Sequence, residues 1–266
     1  MSSLLDRAAA FLEDQGLLTR AIVYFERALT ADQRLRGNDH PDTLMSRSNL
    51  ASAFESAGDL GRAIPLYEET LTDCERVLGR DHPKTLPVRN NLAYAYRAAG
   101  DLGRAIPLYE ETLADYERVL GGDHLETLTI RNNIACAYRV AGDLGRAIPL
   151  LIQNLADRER VLGGDHPDTL TSRNNLARAF ESAGDLGRAI PLFEETLADR
   201  ERVLGDDHPN TLSSRGNLAN AYRAAGDAGR AILLLQRTLA DCERVLGADH
   251  PTTKTVLGKL QAATEP

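Results

Sequence analysis

Three observations predict an all-α fold built from tandem helix pairs. First, the string GDLGRAI begins at Gly58, Gly100, Gly142 and Gly184 and returns as GDAGRAI at Gly226, each start lying 42 residues after the one before. A worn copy, GLLTRAI, begins at Gly16 in the same register. A fixed period of this size marks a repeat architecture, whose units share an apolar core that none could bury alone. Second, the 266-residue chain is 42% hydrophobic and 26% charged, with no Trp and only 5% aromatic residues. It is rich in Ala, Leu, Arg and Glu, all strong helix formers, and runs of β-branched residues are scarce. Third, each period carries two apolar stripes of helical spacing separated by glycine.

The period from His82 to Gly121 justifies each element in turn. Pro83 suits a first helical turn, where its missing N–H costs nothing and its fixed φ fits. Leu86, Leu92, Ala93, Tyr96 and Ala99 then recur at helical spacing. Gly100 stops this first helix, because glycine accepts the left-handed conformation that follows a helix end. Asp101 caps the second helix by accepting from its free N–H groups. Leu102, Ala105, Ile106, Tyr109, Leu113 and Leu120 continue the stripe, and Gly121 ends it. A second helix of nearly twenty residues is about 30 Å long. Small residues at Ala93, Ala95 and Ala99, matched by Ala51, Ala53 and Ala57, predict close helix approach. Pro65, Pro107, Pro149 and Pro191 fall beyond the first turn, where proline removes a hydrogen bond, and predict a bend or a locally opened turn.

The register never slips, and linkers are nearly absent. The reading is therefore one domain over residues 1–266, with units at about 1–37, 38–79, 80–121, 122–163, 164–205 and 206–247 and a closing helix at 250–263. Residues 1–15 read as a degraded first helix. Lys254, Lys259 and Gln261 make the last helix more polar than its counterparts, as expected of a solenoid cap.

Composition narrows the function. A net charge of -8 disfavours nucleic acid, whose phosphates call for a basic surface. No apolar stretch approaches the roughly 20 residues that span a bilayer, so no membrane partner is expected. The start mixes Asp6, Arg7, Glu13 and Asp14 with apolar residues, unlike a secretory signal. Cys74, Cys136 and Cys242 have no metal-ligand spacing, and an odd number suits a reducing compartment. A cytoplasmic location is the expectation.

The pattern N-L-[AG]-x-x-[YF]-x-x-x-G-[DY] is met by Asn91, Leu92, Ala93, Tyr96, Gly100 and Asp101, and the second-helix positions that follow it by Ala105, Tyr109 and Leu113. These residues resemble the tetratricopeptide repeat, and the 42-residue period with GxDHPxTL between units is similar to the kinesin light chain subtype and its bacterial relatives. The resemblance implies a right-handed superhelical solenoid of tandem helix-turn-helix repeats, with six helix pairs and a closing helix. It further implies that one stripe of each first helix lines a concave groove. Bacterial relatives are often fused to nucleotide-dependent switches, so the chain is a candidate sensor part of a larger signalling system. This sequence encodes no such switch.

One histidine stands at each junction: His40, His82, His124, His166, His208 and His250. Packed helix pairs would set successive copies about 10 Å apart, and only one aspartate recurs beside each. The imidazoles read as helix caps rather than as a metal array. No nucleophile motif, phosphate loop or acid–base pair stands out, so neither an enzyme nor a cofactor is expected.

The repeats compare with one another. The stripe facing the implied groove is Met45, Ser48, Asn49, Ser52 and Ser56 in the second unit. It becomes Pro87, Asn90, Asn91, Tyr94 and Ala98, then Thr129, Asn132, Asn133, Cys136 and Val140. Thr171, Asn174, Asn175, Arg178 and Ser182 follow, then Ser213, Gly216, Asn217, Asn220 and Ala224. Within it Asn49, Asn91, Asn133, Asn175 and Asn217 form an invariant ladder. Asparagine both donates and accepts, and related peptide receptors use this position to hold an extended backbone. A bond within the scaffold is the other reading. Arg97, Arg139, Arg178 and Arg223 stand beside the ladder, offset by Glu55 and Glu181, and arginine grips carboxylates in a bidentate way. The peptide-binding set is thus Asn49, Asn90, Asn91, Asn132, Asn133, Asn174, Asn175, Asn217, Tyr94, Arg97, Arg139, Arg178 and Arg223, with a protein or peptide partner bearing acidic groups.

A second invariant set, Arg47, Arg89, Arg131, Arg173 and Arg215, reads as scaffold ion pairing, worth little for each pair that is exposed. Cys74 and Cys242 share a repeat position with Tyr116, Arg158 and Arg200; such tolerance predicts a surface site. The functional expectation is a scaffold or adaptor binding an extended peptide or a partner's helix. Self-association of near-identical repeats into a homo-oligomer is the second reading.

Overall fold

The computed structural model describes residues 2–14 and 16–264. Among them the regular structure is entirely helical. The first helices of the pairs are α1 (Ser2–Asp14), α3 (Pro41–Ser56), α5 (Thr85–Ala98), α7 (Leu125–Val140), α9 (Pro167–Ser182) and α11 (Pro209–Ala224). The second helices are α2 (Leu18–Arg36), α4 (Leu60–Val77), α6 (Leu102–Leu120), α8 (Leu144–Leu162), α10 (Leu186–Leu204) and α12 (Ala228–Leu246), and α13 (Pro251–Thr264) closes the chain. The expected unit boundaries at residues 1 and 266 lie outside the described residues.

The chain groups into two compact units, Met1–Ala137 and Tyr138–Pro266. In the first, α1 to α6 pack each on the next, and the first helices α1, α3 and α5 also touch one another. In the second, α8 to α13 pack in the same order, and α9 touches α11. The first helices of each unit therefore share a face.

The local chemistry repeats with the sequence. At Gly100, φ is +80°, and the Gly100 N–H bonds the Arg97 carbonyl while the Asp101 N–H bonds that of Tyr96 at 2.9 Å. This paired closure needs a left-handed residue after the helix. Asp101 Oδ1 then accepts from the Arg104 N–H at 3.1 Å, capping α6. The Arg104 side chain bonds the same carboxylate and lies 4.1 Å from the centre of the Tyr96 ring, tying both helices of the pair to their turn. Arg62 over Phe54, Arg188 over Phe180 and Arg230 over Tyr222 repeat the arrangement.

Each junction histidine accepts from the backbone N–H two residues on, which caps the following helix at every junction but that of His82, where α5 begins only at Thr85 without a side-chain cap. His40 Nδ1 accepts from the Asp42 N–H at 3.2 Å, and His82, His124, His166, His208 and His250 accept from Lys84, Glu126, Asp168, Asn210 and Thr252 at 3.1–3.2 Å. The preceding aspartate pairs with an arginine at the far end of the same hairpin, as Asp39 does with Arg76 and Asp207 with Arg244.

The expected opening at the second-helix prolines does not occur. α4 runs unbroken through Pro65, and its first turn is closed by Arg62 and Ala63 N–H groups on the Asp59 carbonyl at 3.2 and 3.0 Å. The carbonyl that loses its partner belongs to Gly61, an exposed residue that water reaches. Two further expectations shift. Ala57 and Ala99 are exposed at helix ends rather than packed, and Leu120 is exposed while Thr112 and Tyr116 are buried in its helix.

The invariant arginines do pair within the scaffold, but they are buried. Arg47, Arg89, Arg131, Arg173 and Arg215 are at most 6% exposed. Arg89 on α5 reaches back to Glu75 on α4 at 2.7 Å and forward to Asp115 on α6 at 2.6 Å. Arg215 on α11 bonds Glu201, Asp206 and Asp241 at 2.7, 2.8 and 2.7 Å. Each arginine thus joins consecutive helices through charge-assisted bonds in a site shielded from water.

The variable cysteine position is also buried, contrary to expectation. Cys74 and Cys242 are fully buried, and Tyr116, Arg158 and Arg200 at the same register are at most 4% exposed. A second register varies with it. Arg200 Nη1 donates to Ser214 Oγ at 2.7 Å, Arg158 Nη1 to Ser172 Oγ at 3.1 Å, and Ser46 Oγ donates to Asp32 at 2.7 Å. Where the first residue is Cys or Tyr, the second is Val88, Ile130 or Val256, all buried. Tolerance here reflects paired substitution in the core, not exposure.

Candidate recognition surface on the first helices

The first-helix faces hold the predicted stripe, and their geometry follows from the ladder register. Asn133 Nδ2 donates to Asn90 Oδ1 of the preceding first helix at 3.1 Å, and Asn217 Nδ2 to Asn174 Oδ1 at 3.1 Å. Asn49 likewise stands close enough to the Asp6 carboxyl to lower its pKa. Asn90 Nδ2 in turn donates to Asn91 Oδ1 at 3.3 Å. The scaffold reading of the asparagines is therefore realised at these positions: one amide N–H is committed to the neighbouring helix, and carbonyl lone pairs remain on the face. Asn49 is exposed, while Asn91, Asn133, Asn175 and Asn217 are half-buried; Asn132 and Asn174 are buried.

In the unit of residues 1–137, two adjoining cavities open between the first helices. One, of about 340 Å³, is lined by Asp6, Arg7, Glu13, Phe25, Asn49 and Ser52. The other, of about 210 Å³, is lined by Ser52, Glu55, Tyr67, Asn90, Asn91 and Tyr94. Ser52 is common to both. Burial pushes the Glu55 carboxyl up to about 7, against the Tyr67 hydroxyl that donates to it at 3.3 Å and the Arg97 guanidinium; Glu13 adds to the rise. Burial also raises Asp6 above the usual carboxylate range, opposed by Asn49. Arg97 stacks on the exposed Tyr94 ring at 4.6 Å. The face here is acidic.

In the unit of residues 138–266 the balance is reversed. Arg139, Arg178, Arg223 and Lys259 all act on the half-buried Glu181, whose carboxyl is raised by burial and pulled back by those four cations. Arg139 also reaches Ser182 Oγ at 3.4 Å. Burial pushes the Lys259 ammonium below its ordinary value, with Glu181 opposing and Arg178 and Arg223 adding to the drop. Its Nζ lies over Gly216, 3.5 Å from where a Cβ would stand.

In the unit of residues 138–266 Arg139, Arg178 and Arg223 share the electrostatic surroundings of Glu181, and in the unit of residues 1–137 Tyr94 and Arg97 stand beside Glu55. Sequence reasoning missed Lys259 and Arg7. The signal was available: 42 residues beyond Asn217 stands Lys259, and 42 before Asn49 stands Arg7, so both occupy the ladder register. Glycine at 216, where three earlier units have asparagine and the second has Ser48, leaves the space that the lysine fills. Among the described residues no group of acidic, histidine and cysteine side chains is placed to hold a metal ion, and no helix is long and apolar enough to cross a membrane.

Stacked helix pairs with buried charged ties and a polar first-helix face define a helical-repeat scaffold. The chain belongs to the tetratricopeptide repeat family, which matches residues 1–73, 58–118, 88–151, 137–202 and 188–244, and its likeness is to the kinesin light chain-like members. A protein of Podosopora anserina described as a kinesin light chain with nearly identical repeats is 32% identical, the match covering 77% of this chain and 97% of that one with a TM-score of 0.64. BtubC of P. vanneervenii shares the fold at 24% identity, covering 88% and 94% with a TM-score of 0.69. A Rap protein solved with the competence and sporulation factor shares the fold at 11% identity, covering 98% and 74% with a TM-score of 0.64. No curated protein matches the sequence. The fold is a general protein–protein interaction scaffold.

Proposed function

We propose that this protein is a recognition module, without catalytic activity, that holds an extended peptide segment of a partner protein along its first-helix faces and receives the segment's acidic side chains or terminal carboxylate in the unit of residues 138–266. One observation carries this reading: Arg139, Arg178, Arg223 and Lys259 all lie within electrostatic reach of the half-buried carboxylate of Glu181. Cations outnumber the Glu181 carboxylate here, and the Arg178 and Arg223 guanidinium groups offer paired donors matched to a second carboxylate. Partial burial of Arg178 strengthens its bond relative to the open surface, while Arg223 adds an exposed guanidinium. The asparagine carbonyls beside the cluster supply acceptors for the segment's backbone N–H groups.

The test is selection from a random displayed peptide library against the full chain, followed by titration of the winners. Enriched peptides are expected to be rich in Asp and Glu. They are expected to lose at least tenfold in affinity for Arg178→Ala/Arg223→Ala while helicity stays unchanged. That loss corresponds to about 1.4 kcal/mol, within the range of a desolvated charge-assisted bond. Selected peptides without an acidic bias, or equal binding by the variant, would overturn the reading.

A further inference from the structure

The first-helix face of residues 1–137 carries a site of opposite chemistry. We infer that the cavity of about 210 Å³ between α3 and α5, lined by Ser52, Glu55, Tyr67, Asn90, Asn91 and Tyr94, is an amine-recognition subsite that takes a primary alkylammonium group, such as a lysine side chain of the bound segment. The inference rests on the peptide reading only for the source of the ammonium; the subsite stands on its own geometry.

The walls present acceptors. Glu55 Oε2 accepts from Tyr67, and the other carboxylate oxygen remains for a ligand. The amide relay runs from Asn133 to Asn90 and from Asn90 to Asn91, each link donating forward, so it ends on the Asn91 carbonyl oxygen in this cavity. Ser52 adds a hydroxyl oxygen. An ammonium carries three donors and no acceptor, which matches the Glu55 carboxylate, the Asn91 carbonyl oxygen and the Ser52 hydroxyl oxygen, whereas a carboxylate would face Glu55 as a like charge. The Tyr94 ring forms an exposed wall that already carries the Arg97 guanidinium at 4.6 Å, so a cation is compatible with it.

Charge agrees with the lining. The groups acting on Glu55 are Glu13 on α1, Tyr67 on α4 and Arg97 on α5. Together they do not offset burial, and the carboxyl stays pushed up to about 7. A cation in the cavity supplies the missing compensation, so its binding expels a proton from Glu55 below neutral pH. If the bound form needs an ionised Glu55, the ionised fraction falls about 30-fold between pH 8 and pH 5.5, and the affinity with it.

The experiment titrates n-butylammonium chloride into the full isotope-labelled chain and follows the Asn90 and Asn91 side-chain amide signals by NMR. n-Butanol serves as the uncharged control of the same chain length. The expected result is saturable shifts at about pH 8, binding about 30-fold weaker at about pH 5.5, no comparable effect of butanol, and loss in Glu55→Gln. Glutamine still accepts from Tyr67, and the wild-type comparisons need no variant at all. Absence of a saturable shift at the higher pH, equal binding of butanol, or an affinity independent of pH would each overturn the inference. None of these outcomes touches the Arg178 cluster, whose test uses acidic peptides.

Discussion

Replacing Arg215 separates buried ion pairs from exposed ones within a single protein. The side chain is 0% exposed and ties α11 to Glu201 on α10, to Asp206 in the following loop and to Asp241 on α12. Arg215→Ala removes the cation and leaves three carboxylates facing one another. Breaking a buried pair by deleting one partner costs about 3–5 kcal/mol. The lower end applies, because Asp206 is 54% exposed and rehydrates readily, whereas Asp241 at 20% and Glu201 at 29% do not. About 3 kcal/mol corresponds to a fall of roughly 6–12 °C in melting temperature for a chain of this size. Arg244 offers the control, since it pairs with Asp207 and Asp241 while more than half exposed. Arg244→Ala is expected to shift the melt by a small fraction of that amount, and added salt should shrink its effect further. Thermal melts followed by circular dichroism measure both. Equal losses in the two variants would refute the claim that burial, rather than pairing as such, gives the invariant arginines their weight.

Other outcomes follow from the same geometry. Glu55 has a folded pKa above its unfolded value, so the folded state binds more protons between about 4.5 and 7 and loses stability as pH rises through that window. Glu55→Gln should therefore raise the melting temperature at about pH 8 and leave it nearly unchanged at about pH 5, whereas a gain independent of pH would contradict the assignment. Burial pushes the Cys74 thiol up to about 11 and also raises that of Cys242, so half-buried Cys136 should react first with a thiol reagent under native conditions, with mass spectrometry reading the order. Cys74→Arg should cost more alone than together with Val88→Ser, the serine recovering about 1–2 kcal/mol by supplying the acceptor that Ser214 gives Arg200; additive losses would dismiss the pairing.

Helices, turns and caps were legible because local chemistry dictates them. Gly100 and Asp101 end one helix and start the next through bonds that span a few residues, and the histidines cap through their immediate neighbours. Burial of charge was not legible, because it depends on partners 14 and 26 residues away. Arg89 looks like any surface arginine until Glu75 and Asp115 close over it. The recognition face was legible only in part. Its residues could be placed by register, but the sign of its charge could not, since Glu55 and Glu181 occupy the same register with different surroundings: Tyr67, Arg97 and Glu13 act on the first, four cations on the second. Lys259 escaped notice because the closing helix was judged by polarity rather than by its place in the period.

The paired core registers bear on how such similar repeats keep their order. Asp32 with Ser46, Cys74 with Val88, Tyr116 with Ile130, Arg158 with Ser172, Arg200 with Ser214 and Cys242 with Val256 each join a second helix to the first helix that follows it in sequence. The junction histidines recur at all six junctions and the invariant arginines at the first five, so they cannot tell those five junctions apart. The paired registers can. Exchanging two junctions would bury Arg158 or Arg200 against valine or isoleucine, an unpaired charge whose desolvation costs several kcal/mol, and would leave a serine hydroxyl without its donor. Within this set the two Arg–Ser pairs are interchangeable with each other, as are the two Cys–Val pairs, so the penalty falls on mixing the classes; the last junction differs further in having Leu257 at the register of the invariant arginines. A repeat chain whose surface is free to vary therefore still carries, in a position that looks tolerant, the information that fixes which hairpin stacks on which.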